Sequence, residues 1–462
     1  MKAPGAILLV ACYELGHQPL AVAWPAAFLE RAGYTPAVMD VSVEPFDVEK
    51  ARAARLVAIS VPMHTALRLG VTVAERVRAV NPSVHICFFG LYASLNADHL
   101  LYHAADSVIG GEIESALVEL ARSVVGGGDG ATPGVARRHQ PAPAILTRLP
   151  FPRPSRSRLP SLKKYAHLER DGQRVLAGYV EATRGCLHLC RHCPIPPVYG
   201  GRFFAVPRDV VLDDVGQLVD AGAQHITFGD PDFLNGPGHA LAIARDLHAR
   251  FPEITFDFTA KIEHLLRHRD RLGELATFGC LFIVSAVESL SDVVLRHLDK
   301  GHTRADVMTV LRAVRDTGIA LRPTWVPFTP WTTIDDYRDM LDFIASEELV
   351  DHVDPVQYTI RLLVPPRSLL LDSPAMQPHL AGLVATDFSH AWRHPDPRMD
   401  RLHEQVSTLV ADAADRTDDA AVTFDAVRRL ADEIAGAAPR GPAMPPDPAR
   451  ARPPRLTEPW FC

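Results

Sequence analysis

The sequence predicts an α/β protein built as a doubly wound parallel sheet, then a partial (β/α)6 barrel, then a helical C-terminal region with a Pro-rich tail. Three observations predict this. Apolar runs alternate with segments of helical spacing across residues 1–123. The same alternation resumes between about 173 and 372. A Pro- and Gly-rich stretch separates the two series.

In the first series the strands are Ala6–Cys12 (AILLVAC), Ala37–Asp40, Leu56–Val61, His85–Gly90 and Ser107–Gly110. Helical spacing marks Pro19–Arg31, Thr65–Val80 and Glu114–Val124. Buried strands joined by amphipathic helices imply a parallel sheet, whose ligands bind at the carboxyl ends of the strands. The loops Cys12–Pro19, Val61–Thr65 and Phe89–Ser94 lie there. Residues 125–172 form the linker, with glycines at 126–128 and prolines from 133 to 160; its Leu149–Leu162 half is expected to lie extended along a domain surface.

The barrel series, 173–372, has strands at Val175–Thr183, His225–Pro231, Thr255–Ile262, Cys280–Ser289, Ala320–Phe328 and Val353–Leu362. Helices are expected at Pro207–Ala221, His239–Phe251, Arg267–Thr277, Arg304–Thr317 and Thr333–Glu347. Six repeats favour an incomplete barrel, with its chemistry where strands end. Residues 373–435 read as helical. Residues 436–462 are a Pro-rich tail ending Trp460-Phe461-Cys462.

Composition narrows the function. The chain has 462 residues, 47% hydrophobic and 22% charged, which is a globular composition and excludes wholesale disorder. No run approaches the ~18 apolar residues of a membrane span. The start lacks the charged opening and small-residue cleavage site of a signal peptide, so a cytoplasmic protein with no membrane partner is expected. A net charge of −7 argues against a nucleic-acid surface. The 42 arginines against 6 lysines, with abundant Ala and Pro, read as codon usage and not as a binding patch.

Seven cysteines stand at 12, 87, 186, 190, 193, 280 and 462. The set Cys186-x3-Cys190-x2-Cys193 suggests metal before disulfide in a reducing compartment. It follows the first barrel strand, at the mouth. A [4Fe–4S] cluster usually takes four thiolates, so three leave one iron open to an exchangeable ligand. The same cysteines also admit a structural zinc, completed by His188 or His192, in an α/β binding protein without radical chemistry.

This arrangement resembles the radical S-adenosylmethionine (SAM) superfamily, over roughly residues 175–365. The resemblance implies a [4Fe–4S] cluster on Cys186, Cys190 and Cys193, with SAM chelating the open iron. Reductive cleavage then yields a 5′-deoxyadenosyl radical that abstracts a substrate hydrogen. It also implies that Gly229 with Asp230 or Asp232 receives the SAM amino group, and that Glu288 and Ser289 meet the ribose. Lys261 would reach the SAM carboxylate, and His192 would pack over the adenine. Turn formation by Gly, Asp and Pro and helix capping by Ser289 or Ser291 explain the same residues structurally. Lys261, Glu263, Arg322 and Arg361, near strand ends, read equally as ion-pair partners. No second cysteine cluster follows, which weighs against auxiliary clusters, and Cys280 is expected in the core.

Residues 1–124 are similar to the cobalamin-binding domain that precedes many radical SAM barrels, so cobalamin enters as a third cofactor and methyl transfer to carbon as a reaction. The histidine-bearing Asp-x-His-x-x-Gly motif is absent; the nearest stretch is Glu14-Leu15-Gly16-His17. The usual second glycine is replaced, because Gly90 precedes Leu91 and Tyr92. A domain kept as scaffold is the competing reading; His17, His64 and Gly90 are the residues to test. The ending RLTEPWFC resembles radical SAM proteins whose tails close Cys-Cys-Ala-Glu-Pro or Cys-selenocysteine-Ala-Glu-Pro. That implies a selenocysteine codon after Cys462. The expected partners are a small-molecule or peptide substrate and an electron donor such as a ferredoxin or flavodoxin.

Overall fold

The structure, a computed structural model, describes residues 4–127, 132–438, 440–443 and 450–458. The tail prediction at Cys462 lies outside them.

The N-terminal sheet contains β1 (Ile7–Ala11), β2 (Ala37–Asp40), β3 (Leu56–Ser60), β4 (His85–Phe89), β5 (Ser107–Ile109) and β6 (Val135–Ala136), in the order β2-β1-β3-β4-β5-β6. All pairs are parallel except β5 with β6. Ile7, Leu9 and Ala11 enter the core on one face while Leu8 and Val10 enter the core on the other. Burial on both faces is why the strand reads as an unbroken apolar run. The strand order reverses between β1 and β3, the crevice where such sheets bind ligands.

The linker is pinned, not merely laid on a surface. Leu149, Phe151 and Leu162 are buried in a core shared by the sheet and the barrel. Arg156 donates from Nε and Nη2 to the Asp214 carboxylate (2.6 and 2.7 Å), from Nη1 to Gln18 Oε1 (2.8 Å) and from Nη2 to the Tyr179 carbonyl (2.7 Å). One buried guanidinium thus ties linker, N-terminal loop and barrel together. Gly111 sits at φ +77°, and a Cβ there would stand 2.2 Å from the Ile145 carbonyl oxygen of the crossing linker.

The second sheet adds β7 (His167–Arg170), β8 (Gln173–Val180), β11 (His225–Phe228), β12 (Thr255–Thr259), β13 (Cys280–Glu288) and β14 (Ala320–Trp325), with a small hairpin of β9 (Thr183–Gly185) and β10 (Phe203–Ala205) at the mouth. Strands β8, β11, β12, β13 and β14 are parallel. The predicted sixth strand, Val353–Leu362, does not form. Pro355 opens a 3-10 turn over Pro355–Tyr358, because it lacks the N–H a ladder needs, and only the bridge Phe328–Arg361 remains. Antiparallel β7 extends the opposite edge, and the tail strand β17 (Arg455–Leu456) pairs with it.

Residues 373–435 are also not wholly helical. A hairpin of β15 (Leu380–Val384) and β16 (Ser389–Trp392) precedes the helices Pro397–Asp415 and Ala420–Ala435. The strands are short, and β15 (LAGLV) is largely exposed although apolar, so neither shows the alternation of a half-buried strand. No helix among the described residues is long and apolar enough to cross a membrane.

Candidate active site

The β9–β10 hairpin opens into the loop that carries Cys186, Cys190 and Cys193. Gly185 (φ +76°) starts it, where a Cβ would lie 2.4 Å from the Arg202 carbonyl oxygen. The Cys186 N–H donates to that same oxygen (3.1 Å), the Arg191 N–H to the Leu298 carbonyl (2.9 Å) and the Leu187 N–H to Asn235 Oδ1 (3.2 Å). The loop is therefore fixed from three sides. Burial pushes the Cys193 thiol up to about 12 and raises that of Cys186, with the neighbouring thiols adding to both. Such thiols stay protonated until a metal supplies compensating charge. Three sulfurs in one anchored loop suit an iron–sulfur cluster with an open corner.

The predicted SAM residues separate into three groups. Asp230 is committed to the backbone: it accepts from the Ala182 N–H (2.9 Å) and the Thr183 hydroxyl (2.5 Å), and burial pushes its carboxyl up to about 7. It holds the start of the cysteine hairpin. Gly229 passes beneath Tyr179, where a Cβ would collide with the ring at 2.0 Å.

Asp232 is fully buried and accepts from the Leu234 N–H (2.9 Å) and the Lys261 N–H (3.1 Å). His264 Nδ1 lies 2.9 Å from its Oδ2, and the His264 and His188 Nε2 atoms are 3.2 Å apart. Ligand atoms of His188, Asp232 and His264 fall within 4.8 Å of one another. This polar chain links the end of β11 to the cysteine loop. Lys261 Nζ lies 3.3 Å from Glu263.

Glu288, at the end of β13 with φ +64°, meets His192 Nε2 and Lys300 Nζ, each 3.2 Å from its Oε1. Burial alone would raise its carboxyl, but Lys300 and His192 hold it down to about 2. Ser289 accepts from the Ser291 N–H, so it caps the following turn. Arg322 and Arg361 pair with Asp354 and Asp400.

A second space lies between the two sheets. It is a cavity of about 270 Å3, walled by Ser60, Gly90 and Glu114 on one side and by Tyr179, Glu181 and Arg184 on the other. Arg184 spans it: Nη1 is 2.6 Å from Glu114 and 3.4 Å from Glu112, and Nε is 3.2 Å from Glu181. The Tyr199 hydroxyl donates to Glu112 (3.0 Å). Despite Arg184, burial pushes Glu112 up to about 7 and raises Glu181.

Gly90 faces this cavity, but His17 and His64 do not line it. His17 stacks on Tyr179 (4.5 Å) with its Nε2 2.7 Å from Glu458, and His64 Nε2 lies 2.7 Å from the Asp387 carbonyl oxygen. For a corrinoid, the glycine approach at Gly90 and the unpartnered Ser60 hydroxyl suit a ligand lying across the strand ends. No axial histidine is offered there, and a corrin ring would need the Arg184 bridge to open.

Comparison with known proteins fits this geometry. Residues 180–344 match the radical SAM superfamily, and residues 6–121 match the B12 binding domain. The chain carries a radical SAM domain behind a B12-binding domain. The match decides against the zinc-stabilised binder.

Among solved structures, the fold of this radical SAM chain is similar to OxsB, a cobalamin-dependent SAM radical enzyme solved with aqua-cobalamin and SAM bound (TM-score 0.70, 15% identity, 88% of this chain and 66% of that one). It is also similar to the radical SAM methyltransferase TsrM from Kitasatospora setae, solved with cobalamin and a [4Fe–4S] cluster (TM-score 0.60, 18% identity, 74% and 73%). Curated relatives include the putative methylthiotransferase MJ0865 of Methanocaldococcus jannaschii, 22% identical over 49% of this chain and 53% of the relative. Another is the ribosomal protein uS12 methylthiotransferase RimO of Geotalea uraniireducens, 25% identical over 36% and 39%. The chain spans about half, or less, of the length of these curated relatives.

Several site residues escape sequence reasoning: Lys300, His264, Asn235 and the Arg184–glutamate bridge. One signal was available for Lys300. A lysine is rare in a chain with 6 lysines and 42 arginines, and Lys261 and Lys300 both stand here. A compact ammonium fits a buried single-oxygen contact that a planar guanidinium does not.

Proposed function

We propose that the protein is a radical SAM enzyme that abstracts a hydrogen atom from a substrate held between its two sheets. Cys186, Cys190 and Cys193 hold the [4Fe–4S] cluster; Asp232 and Lys261 orient the methionyl end of SAM, and Glu288 with His192 its nucleoside end. When bound, cluster and SAM supply the oxidising carbon radical. The chain's own work is to position and to shield. Asp230 fixes the cysteine hairpin, and Lys300 keeps Glu288 ionised as an acceptor for ribose hydroxyls. The shared core seals the opposite face from water.

The observation that supports this reading is the convergence of one anchored tri-cysteine loop with polar residues from the ends of β11, β12 and β13. The test is anaerobic reconstitution with iron and sulfide, then reduction in the presence of SAM. About four irons per chain and release of 5′-deoxyadenosine are expected; a colourless protein that retains zinc would overturn it.

A second reading, cobalamin-dependent methyl transfer, is favoured by the fold shared with the cobalamin-dependent enzyme OxsB and the methyltransferase TsrM. It requires retention of cobalt after gel filtration with hydroxocobalamin. The expected setting is cytoplasmic, with a ferredoxin or flavodoxin as electron donor.

A further inference from the structure

The open flank of the partial barrel is closed by the tail. Strand β17 (Arg455–Leu456) adds to the free edge of β7, at the opposite end of the sheet order from β14. Yet Leu456 and Glu458 share a space of about 30 Å3 with Phe282 and Val284 of β13 and with Arg322 and Thr324 of β14. These side chains alternate along their strands with Ile283, Leu321 and Trp325, which enter the core, so the tail lies inside the curl of the sheet. Strand β17 is antiparallel to β7, β7 is antiparallel to β8, and β8 is parallel to β11. The tail therefore runs in the direction of β8, toward the strand ends that carry the cysteine loop.

For a segment so placed it is held lightly. Its ladder spans two residue pairs, Arg455 with Glu169 and Leu456 with Leu168. The Thr457 N–H then donates to the His167 carbonyl and the His167 N–H to the Thr457 hydroxyl, both at 2.9 Å. None of Arg455–Glu458 is fully buried. The Arg455–Glu169 pair (2.8 Å) is exposed, and such pairs contribute little. Glu458 adds its contact to His17 (2.7 Å). Strand β7 itself is fixed from its other side by four residue pairs with β8, so its edge persists when the tail leaves. Arg450 and Arg452 tether the tail to Asp351 and Asp419 just before β17.

We propose that the free edge of β7 is a docking site for an extended peptide substrate, and that Arg455–Glu458 occupies it in cis until such a peptide displaces it. Calling the peptide a substrate rests on the radical reading; the docking does not. Strand addition suits this edge because main-chain bonds supply affinity while alternate side chains supply specificity. The pattern the edge selects is basic, apolar, hydroxyl, acidic: the first meets Glu169, the second enters the curl of the sheet, the third bonds the His167 N–H and the fourth reaches His17. A peptide bound in the direction of β17 carries its following residues toward the cysteine loop.

The probe is a fluorescein-labelled peptide ARPPRLTE, the sequence of residues 451–458, with a scrambled peptide of the same composition as control. Binding is measured by fluorescence anisotropy on the full chain loaded anaerobically with iron, sulfide and SAM. Two variants release the tail by different means. Thr457→Pro removes the N–H and the hydroxyl that bond His167, and Leu456→Asp sets a charge beside Phe282 and Val284. A tethered occupant competes at roughly millimolar effective concentration, so both variants are expected to bind the peptide at least about tenfold more tightly than the unmodified chain. The same peptide carrying Glu458→Gln is expected to bind the variants severalfold more weakly. Equal affinity for the unmodified chain and the variants, no binding to either variant, or equal binding of the scrambled peptide overturns the proposal. So does loss of folding in both variants, which would make the tail part of the core. Release of 5′-deoxyadenosine is read in the same sample: its absence defeats the radical reading and leaves the docking result to stand or fall alone.

Discussion

Glu288 and Glu112 are both buried carboxylates, one on the cluster side of the barrel and one in the gap between the sheets, and the molecule holds them in opposite states. Glu288 faces a buried ammonium and an imidazole on one oxygen and is held down to about 2. Glu112 shares one guanidinium with two other glutamates, and burial pushes it up to about 7. Desolvation opposes ionisation at both sites; the number of cations per carboxylate decides the outcome. The cluster side is neutralised by its own side chains and so is preorganised. The gap is over-supplied with acid and completes its charge balance only by taking up protons or a cation.

The largest effect that separates the two regions is loss of the cluster. Alanine at Cys186, Cys190 or Cys193 is expected to abolish 5′-deoxyadenosine release and to strip iron from the protein, measured by iron assay after anaerobic reconstitution. Glu112→Gln is expected to keep its full iron. If Glu112→Gln also lost iron, the two regions would be one cooperative site and the comparison would fail.

Next in size is the Glu288–Lys300 pair. Lys300→Met leaves a buried carboxylate facing only His192, and removing one partner of a buried ion pair costs about 3–5 kcal/mol. A lowered thermal midpoint is expected, and Lys300→Met with Glu288→Gln should recover most of the loss. If the double variant is no more stable than the single, Lys300 stabilises by packing and not by charge.

The two carboxylates also predict opposite pH slopes. Glu112 has a folded pKa of about 7, above the ~4.3 of a free glutamate, so the folded state binds the extra proton between these values. Its contribution therefore falls as pH rises from about 4.3 to about 7. Glu181 and Tyr199 line the same gap with values raised by burial, and Arg184 opposes that rise. Glu288 has a folded pKa of about 2, so its contribution is present above about 4.3 and is lost as pH falls toward 2. Thermal midpoints across pH 4.5–7.5 should show a decline that Glu112→Gln flattens and Glu288→Gln leaves in place. A decline unchanged in Glu112→Gln removes the basis for calling the gap over-acidic.

How much of this was legible in the sequence follows the same division. The cysteine loop was readable because its ligands lie within eight residues and follow one strand. Asp232 and Glu288 were singled out near strand ends and His192 by its place just before the third cysteine, and the structure brings the last two into contact. The gap was not readable, since Arg184 belongs to the barrel while Glu112 and Glu114 follow β5, some 70 residues earlier. Only the packing of one sheet on the other makes that pairing, and no local period encodes it. The failed sixth strand shows the converse error: apolar residues alternating with polar ones over 353–362 (VDPVQYTIRL) suggested a strand, and Pro355 opens a 3-10 turn instead.

The smallest effect concerns His17, which the sequence placed in the ligand-side loop of the N-terminal sheet. Here it clasps the tail instead. Its Nε2 lies 2.7 Å from Glu458, which the pairing of β17 with β7 delivers to this point, and its ring stacks on Tyr179 of the cavity wall. A part-buried polar contact of this kind contributes about 1 kcal/mol, so Glu458→Gln is expected to lower the thermal midpoint slightly, with iron content unchanged. The informative comparison is with His17→Phe, which keeps a stacking ring but removes the contact to Glu458. If the clasp is structural, the two variants should match in stability and in cobalt retained after exposure to hydroxocobalamin. If His17→Phe alone loses cobalt, the histidine leaves the tail to serve as a ligand, and the gap between the sheets must open to admit one.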